Sequence, residues 1–309
     1  MLSQGGLFLH RLVSDDLAAH LEAWHRAGKV QLDEPLAGHT TIGVGGKASA
    51  YFVPENQHEF ITAIRLCHRF HYPYFVLGAG SKLLFSDQGY LGLVISTQRL
   101  QKVAFEDHRI RVSAGTPLTT FLDIANAVGI RCFNFLAGIP GTLGGAIAMN
   151  AGIPERSIAD VLEKVGILSE EADQIVTLDQ KECRFAYRQS AILQERFPVL
   201  WAYLRTDGKP YERTEMLARR RASQPLDSRS AGCVFKNPPE FSAGYLIEKA
   251  GLKGLTVGMA KVSEKHANFI VNTGGATASE IRKLIDIVRQ KVYKSFRISL
   301  ELEIEILGG

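Results

Sequence analysis

Cysteine is scarce in this chain of 309 residues, which contains four. We do not expect so few cysteines to form a disulfide framework, and none belongs to a Cys-x-x-Cys pair or has the spacing of metal ligands. The sequence therefore predicts a reducing compartment and no bound metal. The four cysteines are Cys67, Cys132, Cys183 and Cys233.

Strong net charge is also missing, since 36 Lys and Arg residues against 32 Asp and Glu residues give +4. This excess is too small to predict binding to nucleic acid or to a membrane surface, although it is compatible with an anionic ligand. The run Arg219–Arg221 fits a solvated helix face better than a nucleic-acid patch. Residues 1–10 lack the basic start, apolar core and cleavage site of a secretory signal, so we expect a cytoplasmic protein.

Only one long uncharged run occurs, Cys132–Pro154, and it is long enough to cross a bilayer. Its glycines and prolines, among them Gly138, Pro140 and Gly141, would break a lipid-exposed helix and leave backbone groups without hydrogen bonds. The run therefore predicts a buried glycine-rich turn and no membrane insertion.

Two common nucleotide-binding motifs are absent, because no Gly-x-Gly-x-x-Gly opens a βαβ unit and no Gly-x-x-x-x-Gly-Lys-Ser/Thr loop occurs. A Rossmann site and a P-loop are therefore disfavoured. Glycine itself is plentiful, with 29 residues, and two loops concentrate it: Gly78–Ser81, directly after the apolar run Tyr74–Leu77, and Gly138–Gly145. Glycine lets a phosphate approach backbone N–H groups closely, although each loop alone could equally be a tight turn.

Alternating apolar residues predict β-hairpins over 103–112 and 161–178, and a strand over 300–306. Hairpins mixed with helices, without regular βαβ units, indicate an α+β fold. At about 150 residues per domain, the length suggests two domains, and a change of texture puts their boundary near 205–210.

Two helices have clear start signals. Thr116 and Pro117 predict a capped helix that ends at Gly129. Thr277 and Glu280 form a capping box at the start of the last helix. That helix has an apolar stripe of Ile281, Leu284, Ile285, Val288 and Val292.

Eight segments between Thr40 and Gly308 match one known family in the family's own order. They are Thr41–Gly46, Leu77–Leu84, Gly138–Ala146, Asn150–Gly152, Tyr187–Ser190, Gly232–Pro238, Lys265–Asn272 and Leu302–Gly308. On these segments the chain resembles the UDP-N-acetylenolpyruvoylglucosamine reductases, the MurB family of flavoenzymes in peptidoglycan precursor synthesis. The short separation between Arg188 and Cys233 resembles the type II branch of the family.

The resemblance implies an FAD-binding region over 1–207, in two α+β subdomains divided near 98–100. Its fold is that of the vanillyl-alcohol-oxidase and PCMH-type flavoproteins, with FAD bound non-covalently. A C-terminal α+β substrate domain over 208–309 follows, and its last strand returns toward the flavin. We expect a monomer that binds small-molecule substrates and no nucleic acid.

The resemblance also implies a reaction. NADPH, the co-substrate, reduces the flavin and is replaced by UDP-N-acetylglucosamine-enolpyruvate. Flavin N5 gives hydride to C3 of the enolpyruvyl double bond, and a protein acid protonates C2 to yield UDP-N-acetylmuramate. Arg188 matches the family's catalytic arginine, whose fork suits a carboxylate on which charge develops. Cys233 matches the proton donor and Glu303 the catalytic glutamate.

Cys233 departs from the family's usual serine. A thiol, with a pKa near ~8.5, is a stronger acid than a hydroxyl, so the replacement is chemically competent. Judged without the family motif, Cys233 could be an inert buried cysteine and Arg188 a solvated surface residue. Glu301, Glu303 and Glu305 could likewise form a solvated strand edge.

Further positions carry over from the family as ligand contacts. Lys82 replaces the asparagine common in the family, and we expect its loop still to bind the FAD pyrophosphate. The expected substrate-binding residues are Tyr187, Gln224, Asn237 and His266, of which His266 could instead be structural. The expected FAD-binding residues are Leu77, Gly78, Ala79, Gly80, Ser81, Lys82, Gly138, Ile139, Pro140, Gly141, Thr142, Gly145, Asn150 and Ala151.

Two other functions stay open. A flavin oxidase of the same fold would attach its flavin covalently and would lack a C-terminal domain of this kind. A catalytically inactive flavin- or nucleotide-binding protein would bind FAD without turnover.

Overall fold

The computed structural model describes residues 15–169 and 171–308, which form two compact units. The first unit contains the described chain up to Glu34, Ala48–Ala79 and Leu91–Met216. The second unit contains Pro35–Lys47, Gly80–Tyr90 and the chain from Leu217 onward. Each unit is therefore assembled from stretches that are distant in sequence.

The elements alternate between helix and strand without a regular repeat. The helices are α1 (Asp15–Arg26), α2 (Gln57–Arg69), α3 (Leu118–Ala127), α4 (Leu143–Ala148), α5 (Ala191–Gln194), α6 (Arg213–Ser223), α7 (Ala243–Lys249) and α8 (Ala278–Phe296). The strands are β1 (Val30–Pro35), β2 (Lys47–Phe52), β3 (Tyr74–Leu77), β4 (Leu83–Phe85), β5 (Tyr90–Ser96), β6 (Val103–Glu106), β7 (Arg109–Ser113), β8 (Gly152–Ile153), β9 (Arg156–Ser157), β10 (Leu162–Leu168), β11 (Ile175–Asp179), β12 (Val199–Arg205), β13 (Arg229–Cys233), β14 (Thr256–Val257), β15 (Ala260–Val262), β16 (Phe269–Asn272) and β17 (Glu305–Leu307).

The first unit contains a four-stranded sheet in the order β1-β2-β5-β3 and a five-stranded sheet in the order β11-β10-β12-β7-β6. In the five-stranded sheet β6 pairs with β7, and β10 with β11, both antiparallel, so the two predicted hairpins are confirmed. Phe60 and Ile64 of α2 share a buried apolar cluster with Leu93 and Ile95 of β5. Strand β3 runs parallel to β5 and ends at Leu77, where the first glycine-rich loop begins.

The second unit is built on a sheet in the order β13-β16-β15-β14 and on a small parallel sheet of β17 and β4. Helix α8 begins at the predicted capping box, in which Thr277 and Glu280 hydrogen-bond to each other's backbone. Its apolar stripe is buried in one cluster with residues of β15 and β16, so the predicted amphipathic helix is confirmed. Helix α7 contributes Leu246 and Ile247 to the same cluster.

Two predicted details are wrong. Pro117 occupies the N-cap position of α3 and no side chain caps that helix, so Thr116 is not its cap. The strand predicted over 300–306 is interrupted, because Leu302 forms a bridge to Phe235 whereas β17 pairs with β4. The chain bends at residues 303–304 between these two different partners.

The uncharged run 132–154 folds into a 3-10 turn, a glycine-rich loop and the short helix α4, as the glycines and prolines predict. Within residues 15–169 and 171–308, every helix is too short or too polar to cross a lipid bilayer.

Candidate active site

Two glycine-rich loops meet in the first unit. Gly78 follows β3, and a Cβ built on it would lie 2.6 Å from Thr142 Oγ1, which is closer than real Cβ contacts. The absence of a side chain at Gly78 therefore lets the Thr142 side chain, in the loop before α4, pack closely against the Gly78 backbone. Ala79 and Gly145, one from each loop, are exposed. The two loops thus meet through Gly78 and Thr142, and each has a residue at the surface of the unit, an arrangement that is compatible with a phosphate site.

A buried hydroxyl adjoins these loops. Thr116 is 1% exposed, and its Oγ1 has no hydrogen-bond partner among the described residues. The Thr116 carbonyl accepts a hydrogen bond from Leu143 N at 2.9 Å, which places Thr116 against the loop that contains Thr142. Burying an unpaired polar group costs about 1–3 kcal/mol. A polar cofactor group bound at these loops would remove that cost, so the residues fit the predicted FAD phosphates.

Arg188 lies in a loop of the first unit and has a left-handed backbone, with φ of 54°. Its guanidinium lies 5.3 Å from the centre of the Tyr187 ring, and its Nη1 donates to the Asn150 carbonyl at 3.5 Å. The Asn150 amide donates to Ala186 O at 2.9 Å and accepts from Ala159 N at 3.2 Å. Asn150 therefore fixes the loop, and the structure brings together Arg188, Tyr187 and Asn150, which the sequence assigned to three different roles.

The first glycine-rich loop continues into the second unit at Gly80. Gly80 is buried with φ of 62°, and a Cβ on it would lie 2.1 Å from His39 O. Thr41 N donates to Gly80 O at 3.2 Å. Lys82 then leads into β4, and its carbonyl accepts from Glu305 N at 2.8 Å. These bonds hold the residues from Gly80 to Lys82 in a fixed conformation.

Three predicted residues converge in the second unit. Lys82 Nζ lies 2.7 Å from Glu303 Oε1 and donates to the Cys233 carbonyl at 2.8 Å. The Glu303 side chain is 4% exposed and that of Lys82 is 26% exposed, so the ion pair is largely removed from water. Cys233 is half-buried and forms no disulfide.

The bend at residues 303–304 explains why Glu303 is inside. Regular alternation would bury the even-numbered residues alone, but Glu303 and Ile304 are both buried, at 8% and 4% exposure. Glu303 N donates to Val234 O at 2.8 Å, which anchors the bend beside the residue after Cys233. Reading these glutamates as a solvated edge is therefore wrong for Glu303, whereas Glu301 is exposed.

The remaining predicted substrate residues also lie in the second unit. Gln224 follows α6 and is half-buried, while Asn237 is exposed and its Oδ1 accepts from Ala243 N at the start of α7. His266 packs against Phe269, with 4.9 Å between ring centres, and its Nδ1 accepts from Asn268 N at 3.2 Å. Burial lowers the pKa of the His266 imidazole below its ordinary value. These contacts give Asn237 and His266 structural roles that a substrate contact would supplement.

The pairing of Lys82 with Glu303 is the feature that sequence reasoning missed. The available signal was a lysine in the otherwise uncharged stretch from Tyr74 to Ser86. A charged side chain in an apolar stretch usually pairs with an opposite charge. The partner could not be predicted, because Lys82 and Glu303 are 221 residues apart in the sequence.

Comparison with known proteins places this arrangement in a family. The chain is 41% identical over 288 residues to a UDP-N-acetylenolpyruvoylglucosamine reductase from Caldanaerobacter subterraneus, covering 92% of this chain and 95% of the relative. It is 42% identical over 284 residues to the same-named enzyme of Moorella thermoacetica, covering 91% and 94%. The chain belongs to the UDP-N-acetylenolpyruvoylglucosamine reductase family.

Family models and a solved structure agree with this membership. A model described as the C-terminal domain of UDP-N-acetylenolpyruvoylglucosamine reductase matches residues 224–307, and one described as an FAD binding domain matches residues 48–178. The crystal structure of the reductase (MurB) from Thermus caldophilus has a TM-score of 0.73 to this chain at 35% identity, covering 91% of this chain and 98% of that one. The predicted family and the α+β FAD-binding fold class are confirmed.

The matched ranges divide the candidate site residues. The FAD-binding match contains both glycine-rich loops, whereas the C-terminal match contains Gln224, Cys233, Asn237, His266 and Glu303. Tyr187 and Arg188 lie between the two matches. Their assignment depends on the Tyr-Arg-x-Ser segment and on the loop geometry.

Proposed function

We propose that the protein is an FAD-dependent UDP-N-acetylmuramate dehydrogenase, which uses NADPH to reduce the enolpyruvyl double bond of UDP-N-acetylglucosamine-enolpyruvate in peptidoglycan precursor synthesis. The observation that carries this proposal is similarity above 40% identity along nearly the whole length of reductases of that name. The reaction needs NADPH and a nucleotide sugar, both of which are small molecules of the cytoplasm. We accordingly propose a cytoplasmic monomer, with residues 1–207 binding FAD and 208–309 binding the sugar nucleotide.

FAD would be held by the two glycine-rich loops, through Leu77–Lys82 and Gly138–Gly145, together with Asn150 and Ala151. Support comes from the Cβ-free contact between Gly78 and Thr142 and from the unpaired Thr116 hydroxyl, both of which suit a ligand with phosphate oxygens. Held there, FAD would supply the hydride-transfer chemistry between NADPH and the enolpyruvyl group.

Arg188 would bind the substrate carboxylate. Hydride arrival at C3 pushes negative charge onto that carboxylate, so a fixed cation lowers the barrier by several kcal/mol, about 3–4 for one well-placed donor. Support comes from the position of the guanidinium, whose Nη1 lies 3.5 Å from Asn150 O and which lies over the Tyr187 ring. Tyr187, which is half exposed beside it, would contact the same substrate.

Cys233 would protonate C2, with Glu303 beside it as an acid-base partner. The thiol is half-buried rather than sealed in the core, unlike the other three cysteines, and this exposure supports a chemical role. Glu303 lies near Cys233 in the second unit, where its N–H donates to the Val234 carbonyl and its carboxylate pairs with Lys82. Gln224, Asn237 and His266 would contact the sugar nucleotide from the same unit.

The visible absorbance of the purified protein under anaerobic conditions tests this function. NADPH should bleach the flavin band, and enolpyruvyl-UDP-N-acetylglucosamine should then restore it with formation of UDP-N-acetylmuramate. Bleaching without restoration would favour an inactive flavin-binding protein. Absence of a flavin band after addition of FAD would overturn the proposal at its first step.

Variants at position 233 test the proton donor. Cys233→Ser retains a hydroxyl donor and should keep measurable turnover, whereas Cys233→Ala should lose two or more orders of magnitude in the substrate half-reaction, as general acid catalysis predicts (~10²–10⁴-fold). Reduction by NADPH should be unchanged in both variants. Equal turnover in Cys233→Ala and the parent would remove Cys233 from the mechanism while leaving the overall activity intact.

A further inference from the structure

Lys82 contacts both partners of the proposed acid-base pair. Its Nζ lies 2.7 Å from Glu303 Oε1 and 2.8 Å from the Cys233 carbonyl oxygen. A Cβ on Gly232 would lie 3.1 Å from the same Nζ, and Gly232 has φ of 71°, a conformation that side chains rarely adopt. The backbone before Cys233 therefore leaves room for the ammonium group.

We propose that Lys82 is a positioning residue for proton transfer, whose ammonium group holds Glu303 in place and stabilises the negative charge that Cys233 acquires when it gives up its proton. The inference rests on the proposed function, because it takes Cys233 as the donor. It assigns to Lys82 a task distinct from the FAD contact expected from its loop.

Charge balance during the step explains the need for a cation. As C2 takes the proton, the C2–H bond forms from the electron pair of the enolate, and the S–H pair stays on sulfur as a thiolate. Water later returns a proton to that thiolate. Glu303 is an anion in the same corner and would oppose the thiolate charge, so an adjacent ammonium offsets the repulsion. The carbonyl oxygen that Lys82 binds belongs to Cys233 itself, only a few covalent bonds from Sγ.

Burial makes the Lys82 ammonium important for Glu303. The Glu303 side chain is 4% exposed, and removing one partner of a buried ion pair is strongly destabilising. Three backbone segments fix the geometry, because Glu303 N donates to Val234 O and Glu305 N donates to Lys82 O, each at 2.8 Å. Lys82 therefore sits on a scaffold that does not depend on a ligand.

Several charged or titratable groups lie on elements near Cys233 in the described part of the second unit. Its register partner on β16 is Phe269, against which the His266 ring packs. Three residues after Cys233, Lys236 Nζ lies 3.6 Å from Glu301 Oε2. The Glu301 side chain is 77% exposed, so solvent screens its charge well. The charged or titratable groups on elements next to Cys233 include Lys82, Glu303, Glu305, Arg229, Lys236, Glu301 and His266.

Thiol reactivity in the full-length, FAD-loaded protein tests the proposal. The rate of Cys233 alkylation by iodoacetamide, followed by peptide mass spectrometry across pH, reports the thiolate fraction. In Lys82→Met, the pH at which the alkylation rate is half-maximal should rise by about one unit, so that the rate at neutral pH falls about tenfold. In Lys82→Arg, the dependence of the rate on pH should match that of the parent. Lys261→Met removes a lysine paired with the exposed Glu264 of the same unit and should leave the profile unchanged.

The two half-reactions provide the second readout. The rate of flavin reoxidation by the sugar nucleotide, relative to the rate of flavin reduction by NADPH, should fall at least tenfold in Lys82→Met and recover in Lys82→Arg. An unchanged alkylation profile in Lys82→Met would overturn the proposal, and weakened FAD retention alongside it would point to a cofactor contact instead. If Lys82→Met does not fold, Lys82→Asn gives the same decision.

These outcomes are distinguishable from failure of the proposed function. If Cys233 is not the donor, Cys233→Ala turns over normally, whereas the alkylation profile still reports whether Lys82 controls the thiol. If the protein has no reductase activity at all, the parent fails the flavin assay before any variant is made.

Discussion

Arg184 and Arg188 lie four positions apart in one loop, and both have left-handed backbones, with φ of 46° and 54°. Their surroundings differ. Arg184 is exposed and pairs with Glu195 at 3.0 Å, whereas Arg188 is half-buried against Tyr187 and Asn150. A strained conformation costs about 1–3 kcal/mol and is retained where the surroundings hold it. Because both arginines have the same backbone conformation, a comparison of Arg184 with Arg188 separates the effect of backbone strain from that of the side-chain guanidinium.

Arg188→Ala should lower kcat for the sugar nucleotide by two to three orders of magnitude, because a donor aimed at developing charge contributes about 10²–10³-fold. Arg184→Ala should lower it less than twofold, since its ion pair is exposed and contributes little. Steady-state kinetics of both variants, with the NADPH half-reaction measured separately, checks this expectation. Similar losses in the two variants would assign the effect to the loop rather than to the Arg188 guanidinium.

For single residues, the sequence predicted which residues belong to the candidate site better than it predicted their contacts. Arg188, Cys233 and Glu303 were identified through the family motifs. What sequence could not provide was the contact between Lys82 and Glu303, because an ion pair depends on which loops the fold brings together.

Among the elements, α8 has an unusually complete N-terminus. Thr277 Oγ1 accepts from Glu280 N at 3.1 Å, and the Asp87 carboxylate accepts from Ala278 N at 2.7 Å and Ser279 N at 2.9 Å. The N–H groups of the first turn, which have no partner within a helix, are thus satisfied. Asp87 lies between β4 and β5, so the cap also ties α8 to a distant part of the same unit.

Thr277→Ala should reduce the free energy of unfolding by about 1 kcal/mol, the usual cost of losing an N-cap. Thr277→Ser keeps the hydroxyl oxygen and should stay close to the parent. Urea unfolding followed by far-UV circular dichroism compares the three proteins. A midpoint for Thr277→Ala equal to that of the parent would show that Asp87 alone caps the helix.

Local patterns predicted the elements whose causes are local. Both hairpins and the capping box of α8 depend on neighbouring residues and are confirmed. The strand over 300–306 failed because its two ends pair with Phe235 and with β4, which no local pattern reveals. The prediction of Thr116 as the N-cap of α3 was wrong because Pro117 occupies the N-cap position, and the Thr116 hydroxyl is buried in the first unit.

Across the whole molecule, the thiols fall into two classes. Burial raises the pKa of Cys67 and Cys183 to about 12, and burial also raises the pKa of Cys132. A thiol whose pKa lies far above the working pH holds almost no thiolate, which is the reactive form. Cys233 is half-buried and is therefore the one cysteine in the described chain with an exposed surface.

The native protein at pH 8 should react rapidly with one equivalent of a disulfide reagent such as DTNB, and with four equivalents after denaturation. Cys233→Ser should lose the fast phase and keep the other three thiols. Raising the pH from 7 to 9 should accelerate the fast phase alone, because the other three thiols are buried and burial raises their pKa. Fast reaction of two or more thiols in the native protein would contradict this division.

In the second unit, Lys82 pairs with Glu303, a residue that is synthesised much later than Lys82. A ribosome that adds about 5–20 residues per second reaches Glu303 on the order of tens of seconds after it has placed Lys82. During that interval the nascent chain carries β4 without β17 and a lysine without its carboxylate. The ion pair between Lys82 and Glu303 therefore cannot form until the ribosome has made both β4 and the residues that lead into β17.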